Sequence, residues 1–191
     1  MTASAQNRPV SIWMEGPAMR LAASVALCLL LAAPAAAAPA VTGATSPQEP
    51  DAVHATMEQL DLWLDTYTDL PRPDTPLARI GFVAAGEAVP YAGRMTRLES
   101  TMRGLYDEAS ATIYLVRPWF GDTARDRSVL LHEMAHHRQA TAKHWYCPEA
   151  MEWDAYRIQE EYLAKLGETG DFNWTWIALL SSCAPRDHHP D

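Results

Sequence analysis

The chain has 191 residues, 48% of them hydrophobic and 20% charged; this is the composition of a globular protein with one core and excludes fibrous and intrinsically disordered classes. Its net charge is −9, and with Arg8, Arg20 and Glu15 set aside from the totals of 15 basic and 24 acidic residues, the part after residue 40 carries 13 against 23. An acidic domain without a Lys/Arg cluster repels phosphate backbones and anionic lipid, so nucleic acid and membrane surfaces are excluded as natural partners.

Residues 1–18 add nothing that an export signal requires and read as an overlong start. From Met19-Arg20 the apolar run LAASVALCLLLAA leads into PAAAAPA, the pattern of a secretory signal peptide over residues 19–40, cleaved between Ala37 and Ala40. The run falls short of the roughly 20 residues a spanning helix needs. Leu27 immediately before Cys28 also speaks against a lipid anchor. The expectation is a periplasmic or secreted protein without a stable membrane anchor, whose residues 41–191 form a single domain; its oligomeric state is left open.

From Pro50 to Asp69 the apolar residues Val53, Met57, Leu60, Leu62, Trp63, Leu64 and Tyr67 recur at helical spacing, with Pro71 and Pro73 beyond them, which predicts an amphipathic helix. Ala78 to Ala85 is apolar and reads as a short buried strand. Ser100 to Leu105 and Thr112 to Val116 flank Asp107-Glu108-Ala109-Ser110 in the manner of a hairpin. Asp122-Thr123 offers an N-cap, and no Gly or Pro interrupts Ala124 to Lys143, so one long helix is expected there. A second helix is expected from Pro148-Glu149 to Leu166, and a shorter apolar segment spans Phe172 to Leu180.

Removal of the signal leaves two cysteines, Cys147 and Cys183. In an oxidising compartment an even pair reads as a disulfide, which would stabilise the fold by about 4 kcal/mol in the chain-entropy model. Two buried free thiols, or Cys147 as a metal ligand, are the competing readings. Six tryptophans follow the signal, Trp63, Trp119, Trp145, Trp153, Trp174 and Trp176, and core packing accounts for them better than a sugar-binding cleft.

The long helix contains His132-Glu133-Met134-Ala135-His136, an H-E-x-x-H pattern. Residues four apart share a helix face, so two imidazoles converge on one ion, while Glu133, turned by about 100°, can act as general base on a water there. The pattern arises by chance in about 1–2% of shuffled chains of this composition. Val129, Leu130 and Leu131 before it suit a helix buried up to a metal centre. A water-bearing zinc site needs a third protein ligand. Among His137, His144, Glu149, Glu152 and Asp154, Glu152 is preferred, because Ala155 one turn on lets the two helices approach closely. His137 points about 100° away from His136.

With these residues the chain resembles the zincin metallopeptidases of the gluzincin type, in which H-E-x-x-H is followed on a later helix by a Glu-x-x-Ala ligand motif. His132, Glu133 and His136 match the first motif, and Glu152 with Ala155 matches the second. The wider run of LLHEMAHHRQ, Cys-Pro and EWDAYRIQEEYL is similar to small bacterial exported H-E-x-x-H proteins without an established function. The likeness covers about residues 98–166. It implies a minimal α+β zincin-like domain, with the active-site helix and the following ligand helix packed against a small, mainly antiparallel sheet. It also implies one Zn2+ ion, a peptide or protein substrate, and hydrolysis with Glu133 as base. His144, Tyr146, Tyr156 and Arg157 lie near enough in sequence to donate to an oxyanion, and nothing ranks them. The strand from Thr112 to Leu115 offers an edge to which an extended peptide could add, or else is a buried hairpin strand. Retention of Glu133 favours catalysis over a second reading, a catalytically silent zinc-stabilised binding protein of the cell envelope.

Overall fold

The computed structural model describes residues 50–183; the expected signal peptide lies outside the described residues. The first helix, α1 (Pro50–Tyr67), buries Val53, Met57, Leu60 and Leu64 on one face and ends two residues before the expected limit. Strand β1 (Arg79–Val83) follows, then β2 (Ala88–Tyr91), β3 (Arg94–Arg97), β4 (Gly104–Asp107) and β5 (Thr112–Val116). The helices α2 (Ala124–Ala142), α3 (Glu152–Lys165) and α4 (Trp174–Leu180) complete an α+β fold. Among the described residues no helix is long and apolar enough to cross a membrane.

Three strands form the main sheet in the order β1-β5-β4, and β2 pairs with β3 in a separate hairpin. The pairings β4–β5 and β2–β3 are antiparallel, while β1 runs parallel to β5 from Arg79↔Thr112 to Val83↔Val116. The expected hairpin at 107–110 is present, closed by a 3-10 turn over Glu108–Ser110 and a left-handed Ala111. Its strand β5, however, is the centre of the sheet, paired on both sides. The expectation that Thr112–Leu115 presents a free edge is therefore corrected: the buried alternative holds, and the edge beyond β5 belongs to β4.

The β2–β3 hairpin was not foreseen. Its two-residue turn, Ala92-Gly93, has both residues at positive φ, the geometry of a type I′ turn for which Asn-Gly or Asp-Gly is the usual signal. Alanine at the first position and Pro90 within β2 hid it. Side chains alternate across β4 and β5. Ile113 and Leu115 join α1, α2 and α3 in the larger core, and Leu105 and Val116 join Val83, Val89, Leu98 and Met102 beneath the hairpin.

Helix α2 occupies the middle of the larger core. Thr123 caps it, with its side chain accepting from Asp126 N at 3.0 Å. From Ser128 to Gln139 every residue is buried, so the helix carries His132, Glu133, His136, His137, Arg138 and Gln139 into the interior. Arg138 is held there by Asp61, both through its carboxylate and through its carbonyl, and by the Leu70 carbonyl at 3.0 Å. Buried polar groups on this scale require partners, and α1 supplies them at this point. The tryptophans divide: Trp119 is core and Trp63 and Trp174 pack against it, whereas Trp153 and Trp176 are exposed.

Candidate metal centre

His132 and His136 lie one turn apart on α2, and Glu152 opens α3 directly opposite. Ala155, fully buried at the contact, leaves room for the close approach the sequence suggested. A 3-10 turn over Pro148–Met151 leads into α3. Cys147, just before that turn, is bonded to Cys183 beyond α4, with Cα atoms 5.9 Å apart. The disulfide thus ties the end of α4 to the start of α3.

Each imidazole is oriented by a glutamine. Gln159 Nε2 donates to Ser128 Oγ at 2.9 Å, and Ser128 Oγ donates to the Arg125 carbonyl at 2.8 Å. The Gln159 amide oxygen consequently faces His132 Nδ1 at 3.1 Å. In the same way Gln139 Nε2 donates to the Met151 carbonyl at 2.9 Å, and its oxygen faces His136 Nδ1 at 2.9 Å. An amide oxygen only accepts, so both Nδ1 atoms donate, and the neutral form of each ring then presents its lone pair at Nε2.

Those lone pairs meet. The two Nε2 atoms are 3.1 Å apart; Glu152 Oε1 is 3.1 Å from that of His136, and Oε2 is 3.4 Å from that of His132. All three side chains are buried, and among the described residues neither Glu152 oxygen has a polar partner other than the two imidazoles facing it. Three converging acceptors repel one another unless a cation sits among them. Burial works to raise the Glu152 carboxyl, but the two imidazoles overrule it and hold it down at about 2. Burial likewise works against a charged His136, yet the Glu152 carboxylate outweighs it and raises that pKa. The electrostatics favour positive charge at this point, whether a proton or a metal. His132, His136 and Glu152, with ligand atoms within 4.8 Å of one another, could hold a metal ion.

Glu133 is fully buried next to this group, and its charge contributes to the raised pKa of His136. Its carboxylate lies against Gly104 on β4. Tyr156 packs edge-on against His132, ring centroids 4.6 Å apart, and its own pKa is raised by burial and then by Glu152 and Glu133. His137 faces away from the centre, as its helix position required. It accepts from the Tyr106 hydroxyl at 2.9 Å through Nδ1 and donates to the Pro76 carbonyl at 3.2 Å through Nε2.

A cleft of about 440 Å³ opens onto His136 and Glu152, lined by Leu105, Tyr106 and Asp107 of β4, by Pro148 and Met151 of the turn before α3, and by Tyr91. Of the four donors suggested by sequence proximity, Tyr156 reaches the centre through His132. Arg157 is exposed, pairs with Glu160 at 3.9 Å and lies over the Trp174 ring. His144 and Tyr146 are exposed outside the cleft lining. Sequence reasoning missed Gln139, Gln159, Gly104 and Tyr91. The glutamines sit at helical offsets from the ligands, three after His136 and seven after Glu152, a signal that could have found them. Tyr91 had none, since it comes from the unforeseen hairpin. Its phenol pKa is pushed up to about 12 by burial and then by the charges of Glu149, Glu152 and Glu133.

Residues 49–191 match a family described as a domain of unknown function (DUF6647), and the chain belongs to that family. No curated protein and no solved structure matches the chain.

Proposed function

We propose that this member of the DUF6647 family is an exported zinc-dependent hydrolase, specifically a metallopeptidase. The observation that carries this reading is the convergence of His132 Nε2, His136 Nε2 and the Glu152 carboxylate on a cleft, with a second buried carboxylate, Glu133, beside them. A structural zinc site fills its four positions with protein ligands. Among the described residues only His132, His136 and Glu152 converge, which leaves a position for water or substrate. Two imidazoles and one carboxylate suit zinc.

Zinc held by His132 Nε2, His136 Nε2 and a Glu152 oxygen would supply the positive charge that lowers the pKa of a water toward about 7 and polarises the scissile carbonyl. Glu133 takes the proton of the attacking water and passes it to the leaving amine. Tyr91, in the cleft lining and kept protonated by burial, donates to the carbonyl oxygen as charge develops on it. Gln139 and Gln159 hold the imidazoles in the ligating tautomer. The edge of β4 gives an extended peptide a backbone to lie along. The disulfide fits an oxidising compartment, which supports reading residues 19–40 as a signal peptide and the mature protein as periplasmic or secreted.

The test is metal analysis and a broad peptide-library assay on the wild type, Glu133→Gln, His136→Ala and Glu152→Ala. Glu133→Gln is expected to keep stoichiometric zinc and lose hydrolysis, while the two ligand variants lose the metal. A wild type that binds zinc and cleaves nothing would instead favour the zinc-stabilised binding protein.

A further inference from the structure

The same cleft has a pronounced charge asymmetry. Among the described residues of its lining, the charged groups apart from His136 are acidic, Asp107, Glu108 and Glu152, with no lysine or arginine. If zinc's two positive charges are set against Glu152 and Glu133, Asp107 and Glu108 are left uncompensated, and Glu149 is close enough to act on the Tyr91 phenol. Asp107 is the informative residue. It is 3% exposed, and its two oxygens accept from neutral donors, the Ala92 N–H at 3.0 Å and the Ser110 hydroxyl at 2.6 Å. Those two contacts bring no cation to Asp107, so this part of the cleft wall offers a carboxylate to a cation that enters. The wall also carries the rings of Tyr91 and Tyr106, whose faces attract a cation as well.

Position along β4 gives the distance. Gly104 lies against Glu133, and Asp107 is three residues further along the strand, roughly 10 Å at strand rise. A peptide lying along β4 with its scissile bond at Glu133 brings a side chain two or three residues away to Asp107 and Glu108.

We propose that this end of the cleft receives a cationic side chain, so that the protein selects peptides with a lysine or arginine two or three residues from the bond it cleaves. The proposal rests on the peptidase reading above and adds the substrate class. Acidic peptides are repelled by the same wall, and the selectivity weakens as salt screens the exposed Glu108.

The test uses blocked alanine-rich peptides carrying one Lys, Gln or Glu at each position in turn. The zinc-loaded wild type is assayed for kcat/KM on them, and zinc-loaded Glu133→Gln, silenced for hydrolysis, is assayed for binding. We expect Lys over Glu by about tenfold or more in both measurements. Glu108→Lys should reverse the order, and Asp107→Asn, which keeps the shape and the acceptor for Ala92, should reduce it. Hydrolysis without a charge preference overturns this inference and leaves the peptidase intact. Lys-selective binding without wild-type hydrolysis overturns the peptidase and supports the cationic site; neither binding nor hydrolysis overturns both.

Discussion

Gly104 lies so close to Glu133 that a Cβ built on it would come to 2.5 Å from Glu133 Oε1 and 2.9 Å from its Cγ. The backbone of β4 therefore sets one wall of the space that holds the proposed base. Gly104→Ala should push the carboxylate aside while leaving His132, His136 and Glu152 in place. The expected result is full zinc content with hydrolysis down by about a hundredfold, the scale of a displacement near 1 Å. Unchanged turnover at full occupancy would show that Glu133 tolerates the shift.

The glutamines behind the imidazoles should matter for metal affinity more than for folding. Replacing Gln159 with Leu removes the acceptor of His132 Nδ1, and replacing Gln139 with Leu does so for His136. Zinc affinity measured by chelator competition should fall by about 10- to 100-fold in each. Equal affinity in both variants and the wild type would mean that the ring orientations are fixed by packing alone, for example by Tyr156 against His132.

The metal-free protein should show an inverse dependence on pH. The His136 pKa is raised above its ordinary 6.5, so a charged imidazole opposite Glu152 stabilises the fold fully below that value, and the contribution is lost as pH rises through the folded-state pKa. Glu152 is depressed to about 2, so its own contribution is present above its ordinary 4.5 and disappears only as pH falls toward that lower limit. Thermal denaturation of chelator-treated protein from about pH 5 to about pH 9 should therefore show Tm falling with pH. Zinc should abolish the fall and bind more tightly at the alkaline end, because ligation requires neutral His136.

The bond between Cys147 and Cys183 closes a loop of sequence separation 36 and should contribute about 4 kcal/mol by the chain-entropy argument. Denaturant unfolding of Cys147→Ser/Cys183→Ser checks the magnitude. Because the bridge anchors the turn leading into Glu152, zinc affinity should fall with it. A loss of stability with unchanged affinity would limit the bridge to a purely structural role.

The sequence alone determined the parts of this protein that depend on neighbours along the chain. Four-residue spacing put His132 and His136 on one helix face, an uninterrupted run with Thr123 before it defined α2, and Ala155 one turn after Glu152 marked the helix that approaches them. The cysteine pair was legible because Cys147 and Cys183 are the two cysteines outside the expected signal peptide. Tertiary structure decided whatever depended on strand order and long-range approach. It made β5 central and β4 an edge, since the parallel β1–β5 pairing crosses a segment whose hairpin lacks the usual turn residues. It also brought Gln159 to His132 across 27 residues, Gly104 against Glu133, and Tyr91 into the cleft lining. Helical periodicity is written locally at 3.6 residues per turn, whereas strand neighbours are chosen by the burial of both sheet faces, which no local window contains.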